Sequence, residues 1–368
     1  MINYGKQSIN QDDIDAVIEV LESDFLTQGP KVEEFENDLR SYCGSKHARV
    51  VTNATSALHL AYVAIGLKKD DIVWTSPNTF VSTANAALYC GAKVEFVDID
   101  PKTYNISIEA LKAKLKIAEA VGQLPKLIVP VHFAGQSCEM KEIWNLSKVY
   151  GFKVIEDASH ALGAEYKEKK VGSCDYSHIC VFSFHPVKMI TTGEGGALTT
   201  NDDNLDQSIA MLRTHGITKD NTKFIDESHG SWYYEQQLLG FNYRMTDIQA
   251  ALGISQLKRL DKFVSKRKEI ANYYLNNLQN VGLPIQHPDT NSSWHLFVIK
   301  TENRHDVYED LKKQGIQTQV HYIPVNSQPY YKAEHLPQCK AFYEQCLSLP
   351  IYFDLTVEDY KKVVKSFG

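Results

Sequence analysis

Two short segments of the chain hold the residue types that chemistry on a carbonyl requires. Ser183-Phe184-His185-Pro186-Val187-Lys188 runs on to Gly193-Glu194-Gly195-Gly196, and Glu156-Asp157-Ala158-Ser159-His160 stands upstream. A lysine amine attacks a carbonyl only when its surroundings lower its pKa, and an amine so tuned holds an aldehyde cofactor as a Schiff base. Lys188 is the candidate. Pyridoxal phosphate is such an aldehyde, and its ring withdraws electrons only while the pyridine nitrogen stays protonated, which calls for a buried carboxylate facing that nitrogen. Asp157 is the candidate for that carboxylate, with a helix N-cap at Ala158 as its alternative use.

A lone lysine is ordinarily a solvated surface charge, so the elements around it decide the reading. Val181-Phe182-Ser183-Phe184 is an apolar run of strand length, and Val154-Ile155 before Asp157 reads the same way. Both candidates therefore fall just past the carboxyl ends of strands, where open α/β sheets bind their ligands. Thr55 and Ser56 stand where the strand at Arg49-Val50-Val51 hands over to a helix over 56–65 closed by Gly66. The dipole and unpaired amides of a helix start favour an anion such as a phosphate, and Ser183 can add a hydroxyl; Thr55 capping the helix is the alternative.

The pattern of strand, helix, strand repeats along the chain. Ile72-Val73-Trp74 leads to a helix over 80–90 closed by Gly91, and Val94–Val97 and Leu127–Val131 follow, the latter before a helix over 139–150. Such repeats give right-handed crossovers and a parallel sheet. Val181–Phe184 and Gly196–Thr200 lie too close for a helix between them, so an antiparallel member is expected in a mixed, mainly parallel sheet. After Thr246-Asp247 the periodicity predicts one nearly unbroken helix to about Leu278. Beyond it, strands at 294–299 and 318–322 flank a helix over 305–314. The reading is a large domain over 1–245 and a linking helix with a smaller C-terminal α+β domain over 246–368, as the length of 368 residues also suggests. The stretch 219–230, rich in Asp, Asn, Lys and His, reads as a mobile loop.

A net charge of -6 with interspersed signs offers no footprint for nucleic acid. No apolar run is long enough to cross a bilayer and the N-terminus lacks a signal region, so a cytoplasmic location is expected. The seven cysteines are scattered without a Cys-x-x-Cys pair and read as reduced thiols, and the histidines do not cluster with them, so no metal site is expected. The Gly193-Glu194-Gly195-Gly196 turn lacks the spacing of a dinucleotide-binding loop.

Taken together, 183–196, 156–163, Asn53-Ala54-Thr55-Ser56-Ala57-Leu58 and Leu239-Gly240-Phe241-Asn242-Tyr243-Arg244-Met245 resemble the sugar aminotransferases of the DegT/DnrJ/EryC1/StrS family, and the resemblance covers essentially the whole chain. It implies fold type I of the pyridoxal phosphate-dependent transferases, as in aspartate aminotransferase. It also implies that Thr55, Ser56 and Ser183 hold the cofactor phosphate, that Asn242 reaches it from a second subunit of a homodimer, and that Phe80 stacks on the ring. His160 matches a position that hydrogen-bonds near the phenolic oxygen. Taken singly, Phe80 is equally a core residue and His160 a satisfied buried histidine. On that resemblance Lys188 would be displaced by an amino donor, expected to be glutamate, and its freed amine would then move protons as a general base in ping-pong kinetics. The family's sugar dehydratases carry histidine at the lysine position, so Lys188 points to transamination. His185, where other branches have Asn, resembles enzymes acting at C4 of UDP-4-keto sugars, and the branch resembled most is that of pseudaminic acid biosynthesis. Tyr4, His185, Glu194, Arg244, His321 and Tyr322 are the groups expected around sugar and diphosphate. Alternatives stand beside them: His321 and Tyr322 as plain strand residues, Glu194 as support for the lysine loop, Arg244 in an ion pair across the dimer.

Overall fold

The computed structural model describes residues 1–331 and 334–368. Two helices, α1 (Gln11–Leu21) and α2 (Pro30–Cys43), precede the first strand. Seven strands then form the central sheet: β1 (His47–Val51), β2 (Ile72–Thr75), β3 (Lys93–Phe96), β4 (Leu127–Val129), β5 (Lys153–Asp157), β6 (Ile179–Ser183) and β7 (Gly196–Thr200). Their order across the sheet is β1-β7-β6-β5-β4-β2-β3. The pairs from β6 through β5, β4 and β2 to β3 are parallel, whereas β7 runs antiparallel to both β6 and β1. Parallel pairing needs crossovers: α4 (Ser82–Tyr89), α5 (Ile108–Ala120) and α6 (Met140–Tyr150) supply those between β2, β3, β4 and β5, α3 (Ala54–Ala64) joins β1 to β2, and the connection from β5 to β6 over 158–178 holds no helix. Residues 184–195 contain no helix, so β7 has to return antiparallel, as its sequence spacing implies.

Helices cover both faces, which is why β6 and β7 are buried along their whole length. Alternate residues of β6 enter different cores: Val181 packs with Leu58, Leu60 and Leu198 under α3, while Phe182 packs with Phe35, Leu39 and Leu260 on the other side. The cores fix the heights of the strand ends, and so the positions of the residues that follow them.

The expected single long helix is two. α8 (Asp247–Leu257), following α7 (Asp203–Leu212), opens with a capping box between Thr246 and Gln249, and α9 (Leu260–Asn277) follows after a break at Lys258-Arg259. At the break Arg259 turns its guanidinium to the carbonyl of Ser8 and to buried Asp13, which also accepts from Ser255 and Gln256. The two helices then bury different partners: α8 lies on α1 and α2, and Ile270 and Tyr274 of α9 enter the C-terminal core.

The C-terminal part is built on β8 (Phe297–Lys300) paired antiparallel with β9 (Cys346–Leu349), with α10 (Arg304–Lys313), α11 (Pro337–Gln345) and α12 (Val357–Lys365) around it. The first strand starts later than expected because Trp294 has a positive φ of 53°. The second expected strand, 318–322, does not form: on the edge of β9 that β8 leaves open, the segment makes a single backbone bridge, Gln319 with Ser348, and His321 bonds the Ser348 side chain. The N-terminal residues also belong here: Ile2 exchanges backbone hydrogen bonds with Gly315 and Gln317, and Tyr4 accepts one from Ile351. Residues 219–230 hold a short turn at Asn221–Lys223, and the carboxylate of Glu235 accepts from the amides of Ile225 and Asp226. No helix among the described residues is long and apolar enough to cross a membrane.

Candidate active site

The carboxyl ends of β1, β5 and β6 open into a cleft of about 700 Å³. Asp157, the last residue of β5, is buried at its base. Oδ2 accepts from the Thr83 hydroxyl at 2.6 Å, and Oδ1 accepts from the Ser159 hydroxyl at 2.6 Å and the Ser159 amide at 3.1 Å. No helix begins at Ala158, so the carboxylate holds a turn instead of capping a helix.

The handover from β1 to α3 is capped by Asn53, whose side chain accepts from the Ser56 amide at 2.8 Å. Thr55 therefore does not serve as the cap, and it lines the cleft with Ser56 and, from the end of β6, Ser183. A Cβ at Gly196 would stand 2.6 Å from the Asn53 carbonyl carbon, so only glycine lets β7 pass this close to the helix start. These hydroxyls around an eleven-residue helix's N-terminus form an anion cradle.

Lys188 lies in the turn after β6, its amide bonded to the His185 carbonyl at 2.8 Å. Burial pushes its amine down from 10.5 to about 8, against the pull of the Asp157 charge, which acts in the other direction. His321 is buried, bonded through Nδ1 to the Ser348 hydroxyl at 2.8 Å, and driven down to about 3 by burial and then by the neighbouring Lys188. It is neutral at pH 7. Tyr4 stands beside it with ring centroids 5.7 Å apart. Phe80, His185 and Glu194 line the cleft from exposed positions, with Phe80 just ahead of α4 and not in it.

His160 faces the same space, but both its ring nitrogens are engaged: Nδ1 with the Ala134 amide at 3.3 Å, Nε2 with the Tyr322 hydroxyl at 2.9 Å. Burial first, and then Lys188, hold it well below the usual histidine range.

Two expected site residues lie elsewhere. Residues 242–245 run beside the end of β1, where Thr52 donates to the Tyr243 carbonyl and Val51 bridges Arg244. Asn242 is exposed there, and Arg244 lines a separate hollow of about 330 Å³ with Glu36, Arg49 and Arg213. Arg244 is thus not beside the cleft of its own chain, because the bridge to β1 turns it toward that hollow. Other residues join the cleft without any sequence signal. Thr83 acts from α4, and His295 lines the wall with its ring 4.4 Å from that of His160 and its buried Nδ1 unpartnered. A helical Thr and a His in an apolar run look structural until the fold brings them here.

The residues present fit pyridoxal phosphate: an anion cradle at one end, a buried carboxylate at the other and a lysine with a lowered pKa between them. Among the described residues, no three His, Cys, Asp or Glu side chains are arranged to hold a metal ion, and the seven cysteines are unpaired.

Comparison with known proteins agrees with this geometry. The DegT/DnrJ/EryC1/StrS aminotransferase family model matches residues 7–368. A Campylobacter jejuni protein, the UDP-4-amino-4,6-dideoxy-N-acetyl-beta-L-altrosamine transaminase, is 44% identical over 99% of this chain and 96% of its own. The structure of Helicobacter pylori PseC, an aminotransferase involved in the biosynthesis of pseudoaminic acid, superposes with a TM-score of 0.90 at 34% identity, covering 100% of this chain and 98% of that one. The PMP form of the putative sugar aminotransferase Spr1654 from Streptococcus pneumoniae gives 0.90 at 26% identity, over 100% and 98%. The chain belongs to the DegT/DnrJ/EryC1/StrS aminotransferase family and is a pyridoxal phosphate-dependent sugar aminotransferase of fold type I, acting on nucleotide-linked keto sugars.

Proposed function

We propose that the enzyme moves an amino group from glutamate to C4 of a UDP-linked 4-keto-6-deoxy N-acetyl sugar. The product is UDP-4-amino-4,6-dideoxy-N-acetyl-β-L-altrosamine, an intermediate of pseudaminic acid biosynthesis. The observation that carries the reading is the pairing, in one cleft, of a desolvated Lys188 amine with the buried, triply hydrogen-bonded Asp157 carboxylate. The similarity to the Campylobacter jejuni transaminase and to Helicobacter pylori PseC supports the choice of sugar.

When bound, the cofactor supplies an aldehyde to anchor amines and a protonated ring to delocalise electrons. The chain's own residues do the rest. Thr55, Ser56, Ser183 and the amides at the start of α3 would hold the phosphate, Phe80 would cover the ring, and Asp157 would pair with the protonated ring nitrogen. With a pKa near that of the medium, Lys188 can take a proton from the donor's α-carbon and return it elsewhere once its amine is free. Glutamate and the keto sugar use the cleft in turn, the first leaving as its keto acid. Tyr4, His185, Glu194, His321 and Tyr322 surround the sugar and diphosphate. In a homodimer with shared sites, Asn242 and Arg244 of one chain serve the other's cleft, which agrees with the exposure of Asn242 and with the place of Arg244 in a separate hollow.

Two measurements test this. Borohydride reduction of the holoenzyme followed by peptide mass analysis is expected to fix the cofactor on Lys188; attachment to another lysine refutes the assignment. Incubation with glutamate and the L-arabino and D-xylo epimers of UDP-4-keto sugars, followed by NMR, is expected to give the C4 amine. An amine at C3, or reaction only with dTDP or GDP sugars, overturns the substrate.

A further inference from the structure

We propose that His132 and Glu156 form a clasp on the face of the sheet away from the cleft, that this clasp sets how far Asp157 reaches toward the cofactor ring, and that His132 is thereby a positioning residue for the reaction. The inference rests on the reading of the site given above, in which Asp157 would pair with the protonated ring nitrogen.

The tip of β5 is short of backbone bonds. The Asp157 amide donates to the Pro130 carbonyl at 2.9 Å, and the Asp157 carbonyl accepts from the His132 amide at 3.0 Å. Pro130 itself has no N–H, so the rung that would precede these two is missing. The His132 side chain makes up the difference. Successive strand side chains leave opposite faces, so with Asp157 turned into the cleft Glu156 points away from it. There the buried Glu156 carboxylate accepts from His132 Nε2 at 2.7 Å and from the Ser177 hydroxyl at 2.5 Å. The place of the ring proton is fixed: the Cys138 amide donates to His132 Nδ1 at 3.1 Å, which leaves the proton on Nε2. His132, wholly buried, thus grips two consecutive residues of β5, Glu156 with its ring and Asp157 with its amide.

Stability alone does not call for this arrangement. Glu156 has no lysine or arginine partner among the ion pairs of the described residues, and well-packed apolar side chains in place of a buried polar pair are often neutral or stabilising. Position is what the clasp adds. Thr83 and Ser159 fix the direction in which the Asp157 carboxylate turns, but not the reach of the strand that carries it. A displacement of about 1 Å at a reacting group costs a rate factor on the order of 100.

Solid-state 15N NMR of the holoenzyme, loaded with cofactor labelled at the ring nitrogen, reads whether that nitrogen keeps its proton. Substituting His132→Leu and Glu156→Met together removes both partners and strands no charge, so the double variant is expected to fold with a melting temperature near that of wild type. Its ring-nitrogen resonance should move toward the neutral pyridine position, part of the way that Asp157→Asn moves it. Its kcat should fall about 10- to 100-fold, with KM for the sugar nucleotide nearly unchanged. Glu156→Gln keeps an oxygen for His132 and offers its amide to Ser177, so it should retain the wild-type resonance and rate. In the Asp157→Asn background the double substitution should add nothing, since both act at one contact. A folded double variant with the wild-type resonance overturns the clasp, whatever its rate. So does a Glu156→Gln resonance displaced as far as that of the double variant, because charge and not position would then be the cause. If the double variant does not fold, His132→Asn, too short to reach Glu156 but with its amide still on Asp157, is read in the same way. An Asp157→Asn holoenzyme whose resonance matches wild type fails the reading of the site itself; a displaced Asp157→Asn beside an unmoved double variant sinks the clasp alone.

Discussion

Replacing Lys188 by methionine should stabilise the cofactor-free protein at neutral pH, and by an amount that shrinks as pH rises. Burial lowers the Lys188 pKa from 10.5 to about 8. A folded-state pKa below the unfolded one means that the unfolded chain binds more protons between these values, so wild-type stability climbs with pH across that window. Below about pH 8 the folded protein carries the full cost of a desolvated ammonium. The lowering from 10.5 to about 8 corresponds to about 3.4 kcal/mol at pH 7, and integration to pH 9.5 leaves about 1.4 kcal/mol. The side chain keeps some exposure, so these are ceilings. The Lys188→Met variant lacks the titration, and every other group contributes equally to both proteins. The difference in unfolding free energy, measured by urea denaturation at matched protein concentration, should therefore favour the variant less at pH 9.5 than at pH 7, by about 2 kcal/mol. A difference that stays flat over that range would show the amine to be solvated, and with it the physical basis of Lys188 as nucleophile and base would fall.

Three other perturbations probe the parts around the lysine. Thr83→Val removes the 2.6 Å donor to Asp157 and leaves a buried carboxylate oxygen short of a partner; a loss of about 1.5–3 kcal/mol in unfolding free energy is expected, with Thr83→Ser close to wild type. Asn53→Ala removes the cap of α3 and should cost about 1 kcal/mol while weakening cofactor affinity in a fluorescence titration, whereas Thr55→Ala should weaken affinity with less effect on stability. Co-expressed Lys188→Ala and Asn242→Ala chains, each inactive alone, should recover about a quarter of wild-type activity if a dimer shares its sites, since half of random dimers then hold one intact site. No recovery would mean that each chain builds its cleft unaided.

How legible these features are in the sequence depends on the range of the forces that set them. Strand ends are readable because an apolar run followed by polar residues specifies both the buried segment and the point where it leaves the sheet; Asp157, Ser183 and Lys188 are found that way. The antiparallel β7 follows from the short 184–195 connection alone. By contrast, the division of α8 from α9 depends on Asp13 and Ser8, far away in sequence, which draw Arg259 out of the helical line. The 318–322 segment reads as a strand by composition, but a ladder needs several residues in register with a neighbour, and against the open edge of β9 only Gln319 meets its partner, Ser348. Arg244 is unreadable in a different way: local sequence places it beside Asn242, but only the bridge to Val51 decides that it faces away from its own cleft.

His160 shows why opposing readings of one residue can both hold. Sequence alone leaves it as either a satisfied buried histidine or a contact near the cofactor's phenolic oxygen, as though the first excluded the second. The structure meets both descriptions: the ring nitrogens are engaged by the Ala134 amide and the Tyr322 hydroxyl, and the residue still lines the cleft. Being satisfied inside the protein does not take a side chain out of a site, because the bonds that satisfy the ring also hold it on the wall of the cleft.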